Sequence, residues 1–285
     1  MAKYQRKGKQ TITSNADERK TYLFWSIVIP FFLILIICIW NYSPSLKYYY
    51  HVLFDKELKS SNDVDEDKFE ARNILLMNAH EDKSFGIDIS QYQGQILWDS
   101  IALIHNKFPI DFIFVRATMG SNGKDRKFKQ NWKGARSAQK LIGAYHYFRP
   151  NENSIKQANN FINTVTLKPG DLPPVLDIEE RPKSQSMDSL RVGLKRWLDR
   201  VESHYGLKPI LYSGDSYFTD FLEKEFKDYK LWIANYNFWV ESPKDHWDFW
   251  QFSERGKVKG IKGAVDINMY HSDIEKLEEL CIPYN

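Results

Sequence analysis

The segment Val175-Leu176-Asp177-Ile178-Glu179-Glu180 carries most of the information about fold and chemistry, because an apolar run ends there in closely spaced carboxylates. The preceding turn-rich segment, 168–174 (KPGDLPP), favours extended backbone, so a strand is predicted from Val175 to Glu179. Side chains alternate along a strand, which points Asp177 and Glu179 to one face, roughly 6.5–7 Å apart along the chain. Two such carboxyls suit acid-catalysed glycosidic cleavage, in which one protonates the leaving oxygen and the other stabilises the developing cation. A strand that simply runs out into solvent is the alternative, and this triplet alone favours it.

The chain around this segment alternates short apolar runs with amphipathic segments. Eight runs are predicted as strands: 86–90, 112–117, 142–148, 175–179, 210–213, 231–236, 249–252 and 265–269. Helical periodicity lies between them, in 98–107, 128–140, 155–166, 188–205 and 217–226. This order predicts an α/β fold, a closed (β/α) barrel like the TIM barrel, whose last strands depart from the regular repeat because their connections are short. An open doubly wound sheet is the alternative, although no Gly-x-Gly-x-x-Gly motif supports it.

The composition excludes several classes of function. The net charge of +3 is too small to argue for nucleic-acid binding, and no Lys/Arg cluster lies on a recognisable reading element. Only Cys38 and Cys281 occur, so no useful disulfide is expected, and the seven scattered histidines argue against a metal site. We therefore expect no cofactor, no metal and no nucleic-acid partner, and a monomeric catalytic domain.

An apolar segment near the N-terminus predicts a membrane anchor. Residues 22–40 (YLFWSIVIPFFLILIICIW) contain no ionisable side chain except Tyr22. The length of this segment is close to the roughly 20 residues that span a bilayer core. Basic residues outnumber acidic ones before it, so the positive-inside rule places the N-terminus in the cytoplasm. The predicted order is a basic cytoplasmic tail (1–21), a single transmembrane helix (22–42), a juxtamembrane segment and linker (43–82) and a catalytic barrel (83–285) outside the cell membrane. A cleaved signal peptide is the alternative, but the apolar run exceeds a usual h-region and no Ala-x-Ala-like site follows.

The carboxyl ends of the predicted strands carry the candidate site residues, because chemistry in a parallel barrel lies at that end. The candidate catalytic carboxyls are Asp88, Asp177, Glu179 and Asp266. The candidate substrate contacts are Arg116, Tyr145, Tyr147, Tyr212, Asn235, Trp250 and Gln251. Each alone is more often a solvated loop residue, a helix cap or a core aromatic, and Arg116 is equally a buried counter-ion to Asp88 or Asp177. Sugars have apolar C–H faces ringed by hydroxyls, so aromatic side chains beside amides suit a polysaccharide cleft.

The motifs around these residues resemble those of glycoside hydrolase family 25, the Chalaropsis-type lysozymes. The opening motif is GIDISQYQG (86–94) with Trp98. Seven further motifs follow in order: FVRATMG (114–120), GAYHYFRP (143–150), LDIE (176–179), PILYS (209–213), LWIANY (231–236), WQFS (250–253) and VDIN (265–268). The resemblance covers residues 85 to about 275. It implies a flattened barrel of eight strands with five or so helices, and hydrolysis of the β-1,4 bond between N-acetylmuramic acid and N-acetylglucosamine in peptidoglycan.

The same resemblance implies a role for each candidate. Glu179 matches the general acid, and Asp177 the carboxylate that assists through the substrate's 2-acetamido group. Asp88 and Asp266 match carboxyls that tune this pair and hold substrate, and the matching sugar contacts are Tyr147, Tyr212, Asn235 and Gln251. We expect Glu179 to be protonated at rest, with its pKa raised by Asp177 and Asp88.

Three points stay open at this stage. Substrate-assisted retention and direct water attack with inversion both fit the carboxyl pair. A membrane-tethered wall-binding protein that does not cut is a second function, although the complete set of carboxyls argues against it. A chitinase-like hydrolase is a third, because chitin cleavage uses the same Asp-x-Glu chemistry.

Overall fold

The computed structural model describes residue 22, residues 24–33, residue 35 and residues 64–284. The described residues before position 36 are helical, and their apolar side chains are mostly exposed. The predicted tail (1–21) and much of the predicted anchor (22–42) lie outside the described residues. Among the helices that are described, none combines the length and the apolar character needed to span a bilayer. The chain divides into two units, 1–55 and 56–285, and the second contains the barrel.

Eight strands of the second unit close into a barrel. In chain order the strands are β1 (Phe85–Ile89), β2 (Leu103–Ile104), β3 (Phe108–Pro109), β4 (Phe112–Met119), β5 (Gly123–Lys124), β6 (Leu141–Tyr147), β7 (Val175–Asp177), β8 (Ile210–Gly214), β9 (Leu231–Ala234), β10 (Phe249–Gly256) and β11 (Val265–Tyr270). The barrel runs β1-β4-β6-β7-β8-β9-β10-β11, and β11 pairs back with β1. Neighbours from β1 to β10 are parallel, whereas β11 is antiparallel to both of its neighbours. The eight predicted strands and the irregular end of the repeat are confirmed.

Helices cover the outside of the barrel. They are α1 (Val64–Ala79), α2 (Phe128–Ser137), α3 (Ser154–Ile162), α4 (Met187–Tyr205), α5 (Asp215–Phe221), α6 (Glu223–Phe226) and α7 (Ile274–Glu278). The longest, α4, begins where the Ser186 side chain accepts a hydrogen bond from the amide of Ser189, and it ends at Gly206 in the left-handed conformation. Leu190, Leu194 and Trp197 recur at helical spacing and are fully buried, so α4 packs by its apolar face.

The predicted helix over 98–107 is wrong. Only 98–100 forms a short 3-10 turn, and β2 and β3 then pair as a hairpin. His105 and Asn106, at its tip, have φ values of 49° and 56°, the left-handed backbone that a tight hairpin turn requires. The apolar spacing of Ile101, Ile104 and Phe108 fits a helix, but the hairpin buries the same three side chains. Burial alone therefore did not distinguish the two structures.

The inside of the barrel is divided along its axis. Phe112, Phe114, Trp232 and Phe249 form an aromatic floor, defined by these four rings, with Phe114 stacked on Trp232 at 4.5 Å between centroids. Because inward and outward residues alternate, the next inward positions on the same strands lie above the floor. Those positions carry the polar residues of the candidate site.

The helix α1 packs on the barrel against β10, and it begins well before residue 83, where the catalytic barrel was expected to start. Its buried side chains include Ala71, Leu76 and Met77 together with the polar Arg72 and Asn73. The folded part of the second unit is thus larger than the barrel alone.

Candidate active site

A cavity of about 170 Å³ lies at the carboxyl ends of the parallel strands. Its lining residues are Asp88, Arg116, Tyr145, Tyr147, Asp177, Glu179, Tyr212, Trp232, Tyr236, Gln251, Glu254 and Asp266. Nine of the eleven predicted site residues are in this set, so the fold brings together side chains from most of the barrel strands.

The four predicted catalytic carboxyls reach the cavity from three strands. Asp88 is in β1 and Asp177 ends β7, whereas Asp266 is the second residue of β11. The reversed direction of β11 brings its beginning to the same end of the barrel as the ends of the parallel strands. Glu179 follows β7 in a segment that β8 holds, since the amide of Ile178 donates to the carbonyl of Tyr212 at 3.1 Å.

A network of amides and phenols orients Asp88. Its Oδ2 accepts hydrogen bonds from Nε2 of Gln251 at 2.7 Å and from Nδ2 of Asn268 at 2.9 Å. The Oε1 of Gln251 in turn accepts from the hydroxyls of Tyr212, at 2.7 Å, and of Tyr236. Burial raises the pKa of Asp88 to about 6, and the two amide hydrogen bonds oppose that rise because they favour the charged form.

The pair formed by Asp177 and Glu179 holds protons strongly. Burial, followed by the charge of Glu179, raises the pKa of Asp177 well above its usual range, and its buried Oδ1 has no hydrogen-bond partner among the described residues. Burial also raises the pKa of Glu179, which the hydrogen bond with Asp177 opposes. The two carboxyls therefore titrate as a pair that retains a proton between them, and the expectation that Asp177 raises the pKa of Glu179 is not met, because the hydrogen bond from Asp177 lowers it.

Asp266 completes the acidic cluster. Burial raises its pKa to about 9, with further contributions from the charges of Asp88 and Glu254. A neutral Asp266 can donate a hydrogen bond to Asp88, whose own pKa this bond lowers. The cluster therefore carries fewer negative charges at neutral pH than its carboxyl count suggests.

Arg116 faces the cavity but is not paired with the catalytic carboxyls. Its Nε donates to Oδ2 of Asp125 at 3.1 Å, which replaces the expected counter-ions Asp88 and Asp177. Its buried Nη2 has no hydrogen-bond partner within residues 64–284. The Tyr92 ring lies over the guanidinium, with 4.8 Å between the guanidinium carbon and the ring centroid. Arg116 thus keeps one buried N–H group without a hydrogen-bond partner among the described residues.

Two predicted substrate contacts lie outside the cavity. Trp250 is fully buried and donates its Nε1 to the carbonyl of Asn235 at 2.9 Å. Since Gln251 faces the barrel interior, the alternation of β10 points Trp250 outward to the helical layer, and its assignment as a sugar contact is wrong. Asn235 instead donates to Oδ2 of Asp215 at 3.0 Å and shapes the loop after β9.

Three lining residues were missed from the sequence. Trp232 is 2% exposed, and its Nε1 donates to Oδ1 of Asn268 at 2.8 Å, which fixes the amide that binds Asp88. Tyr236 directly follows Asn235, and its position at a strand end was the available signal. Glu254 lies in a stretch of β10 where the pairing with β11 shifts register twice, and such bulges re-aim side chains.

A larger hollow of about 910 Å³ borders the cavity along the β10–β11 connection and shares Glu254 with it. Its other charged lining residues are basic, namely Arg255, Lys257 and Lys259, so it lacks the converging carboxyls. Within the described residues, no group of three or more His, Cys, Asp or Glu side chains is arranged to hold a metal ion. The smaller cavity is lined by acids, phenols and an amide, together with Arg116 and Trp232.

Comparison with known proteins identifies the family to which the chain belongs. The sequence profile of the glycosyl hydrolases family 25 matches residues 87–261. The chain is 40% identical over 197 residues to the protein YegX of Escherichia coli K12, covering 68% of this chain and 71% of that protein. It is 30% identical over 207 residues to lysozyme M1 of Streptomyces globisporus, with 67% and 69% covered.

Solved structures agree with the sequence comparison. A family 25 glycosyl hydrolase from Bacillus anthracis superimposes with a TM-score of 0.64 and 27% identity, covering 71% of this chain and 95% of that one. A bacterial lysozyme from Streptomyces coelicolor gives a TM-score of 0.62 and 28% identity, with 70% and 96% covered. In both cases nearly the whole of the known structure is matched.

Proposed function

The chain belongs to glycosyl hydrolase family 25 and is a glycoside hydrolase, and from this membership we propose that it cleaves the β-1,4 bond between N-acetylmuramic acid and N-acetylglucosamine, with Glu179 as general acid. Lysozymes among its relatives support activity on peptidoglycan as a muramidase. The observation that carries the residue assignment is the meeting of Asp88, Asp177, Glu179 and Asp266 in one cavity whose acids have raised pKa values.

The first step needs a proton at Glu179, next to the glycosidic oxygen. In this proposal the pair shares a proton, and when that proton is on Glu179, Glu179 is the acid and Asp177 is a carboxylate. Glu179 then donates the proton to the leaving oxygen as the C–O bond breaks. The elevated pKa of both groups keeps this proton in the pair near neutral pH.

Asp177 takes part through the substrate. As a carboxylate it accepts a hydrogen bond from the N–H of the 2-acetamido group, while the acetamido carbonyl oxygen attacks the anomeric carbon. Asp177 lines the cavity, which supports a contact between its carboxyl and the substrate. Water then attacks the same carbon as its bond to the acetamido oxygen breaks, and the water gives a proton to Glu179, so the product retains the β configuration.

Asp88 and Asp266 support the pair from across the cavity. Asp88 is held by Gln251 and Asn268, and its charge raises the pKa of both Glu179 and Asp266. In this proposal the hydroxyls of Tyr145 and Tyr147 and the free Nη2 of Arg116 contact the sugar hydroxyls around the scissile bond.

The test is the identification of product ends and anomers. Purified peptidoglycan is incubated with the full chain, and mass spectrometry of the released ends names the bond; reducing N-acetylmuramic acid is expected. Proton NMR of the first-formed anomer is expected to show β product, and initial α product would replace retention by direct water attack. Chitin serves as the comparison substrate. Faster release from chitin would contradict the assignment to peptidoglycan, and binding without release from either would favour a wall-binding protein.

We further propose that the apolar segment at 22–42 tethers the enzyme to the cell membrane with the barrel outside. The described residues there support this proposal, because Phe24, Ile27 and Phe31 are each more than half exposed on a helix without charged side chains. The full chain is expected to sediment with membranes through an alkaline wash and to dissolve in detergent. Release by the alkaline wash alone would refute the tether.

A further inference from the structure

Arg72 lies in α1, outside the stretch that matches the family, yet it contacts the backbone beside the active site. We propose that Arg72 is a positioning residue for catalysis, which holds the wall of the cleft formed by Tyr236 and Gln251. This inference rests on the proposed function only in taking glycan as the substrate.

The guanidinium of Arg72 joins two separate segments of backbone. Its Nε donates to the carbonyl of Phe238 at 3.2 Å, and its Nη2 donates to the carbonyls of Asn237 and Val240, each at 3.1 Å. Its Nη1 donates to the carbonyl of Phe252 in β10 at 3.0 Å. The side chain is only 1% exposed, so these four bonds offset the cost of burying a charged group.

The two segments carry neighbouring residues of the cavity. Tyr236 immediately precedes the loop that Arg72 binds, and Gln251 immediately precedes Phe252. The hydroxyl of Tyr236 contacts Oε1 of Gln251, and Nε2 of Gln251 donates to Asp88. A single side chain of α1 therefore fixes the distance between the two backbones on which this hydrogen-bonded chain depends.

Two further contacts also hold α1 to the loop between β9 and β10. The rings of Phe69 and Phe238 meet edge to face at 5.9 Å between centroids. At the end of the helix, Nε2 of His80 lies 2.8 Å from the carbonyl of Glu241. The loop between β9 and β10 has no regular structure of its own, so α1 supplies much of what orders it.

Loss of Arg72 leaves its carbonyl acceptors without these donors and lets the loop separate from β10. Because partly buried carbonyls need partners, the loop is expected to turn toward water and to take Tyr236 with it. Glu179 and Asp177 are held by β7 and β8, away from this loop. The expected defect is therefore mainly in substrate binding, with KM raised about tenfold, and kcat falls by a smaller factor because the loosened Gln251 also holds Asp88.

The experiment measures kcat and KM of Arg72→Met with soluble peptidoglycan strands, in the full chain. Arg136→Met is the control, because Arg136 forms an equally well-defined pair with the buried Asp171, at 2.8 Å, that does not touch the loop. The control is expected to lose stability but to keep KM. A double-mutant cycle with Tyr236→Phe is expected to be strongly non-additive, since both changes release the same wall. Unchanged KM in Arg72→Met, or fully additive effects, would overturn the proposal.

Hydrogen exchange supplies a readout that does not depend on turnover. Arg72→Met is expected to speed amide exchange in 235–242 and to leave the segment 143–148 unchanged. If Arg72→Met does not fold, Arg72→Lys retains the charge without the planar fork and is expected to show the same changes at smaller size. An inactive wild-type protein would refute the proposed function, whereas unchanged exchange in 235–242 would refute the role of Arg72.

Discussion

The two halves of the barrel interior differ completely in character, although the same strands build both. The lower half is the aromatic floor, and the upper half holds the carboxyls, phenols and amides of the cavity. On β4 the change takes one inward step, from Phe114 to Arg116, and on β10 from Phe249 to Gln251. The difference indicates that the floor matters for the chemistry above it, because packed apolar rings below the acids add to the burial that raises their pKa values.

Glycines make the dense floor possible. A Cβ on Gly86 would lie 2.4 Å from the ring of Phe112, and one on Gly143 would lie 2.5 Å from the ring of Phe114. Strands β1 and β6 therefore leave their lower inward positions empty for these two rings. The upper inward positions of the same strands, Asp88 and Tyr145, stand directly over the filled layer.

The largest expected effect comes from removing the proposed general acid, which lies in the upper half of the barrel interior. Glu179→Gln is expected to lower kcat by about 10²–10⁴, because the amide cannot donate the proton to the leaving oxygen. The free energy of unfolding is expected to stay equal or to rise, since a buried acid is removed. Reducing-end release and urea denaturation measure the two quantities, and near-native turnover would contradict the assignment of Glu179.

The next largest effect is expected from removing the carboxylate that assists the acid. Asp177→Asn is expected to lower kcat by about 10²–10³, the range for loss of one preorganised electrostatic contact. The substituted amide cannot share a proton with Glu179, so the pH optimum is expected to move as well. A kcat–pH profile measures this change, with Asp215→Asn, outside the cavity, as the control that keeps the wild-type profile.

The floor is tested by the converse change. Phe114→Ala removes a fully buried ring stacked on Trp232 and is expected to cost about 3–5 kcal/mol of unfolding free energy. Val192→Ala on α4, at a half-exposed site, is the control and is expected to stay within about 0.5 kcal/mol. If the floor also raises the pKa values of the acids above it, the fraction of Phe114→Ala enzyme that stays folded has a shifted kcat–pH profile. An unshifted profile would show that the floor contributes to stability but not to the pKa values of the acids.

The smallest effect, counted per pH unit, is the pH dependence of the free energy of unfolding. The folded-state pKa of Asp266 is raised to about 9 and that of Asp88 to about 6, so the folded protein binds more protons than the unfolded chain above pH 4. The stability from these neutral acids is complete below about pH 4 and is lost as pH rises through the folded-state values, by at most about 1.4 kcal/mol per pH unit for each proton. Asp266→Asn is expected to flatten this decline between pH 6 and 9, measured by urea denaturation. An unchanged slope would show that Asp266 is ionised in the folded protein.

The barrel and most of its site were predictable because they follow from local alternation. Most of the eight strands are apolar runs bounded by turn residues, and in several of them the last inward side chain is a site residue, as Asp88, Asp177 and Tyr212 illustrate. Trp250 failed on the same rule, since its neighbour Gln251 takes the inward position. The roles that the family resemblance implies for the cavity residues stay predictions until the variants above are measured.

Other features depended on contacts that no local pattern encodes. The buried face of α1 includes Arg72 and Asn73, so the helix lacks an apolar period, and the charged start of this segment predicted a linker. Glu254 reaches the cavity only because β10 is bulged, and bulges depend on the pairing partner. The β2–β3 hairpin replaces a helix because its turn adopts left-handed backbone at two residues that are not glycine.

The antiparallel insertion of β11 has a consequence for how the enzyme comes into being. The barrel closes through β1, which pairs with β4 on one side and β11 on the other, and Asn268 reaches Asp88 across 180 residues of chain. Contacts of such separation form late in folding, because loop closure must come first. A nascent chain that still lacks β11 therefore has no assembled cavity. Hydrolytic activity begins only when the last strand has paired with the first.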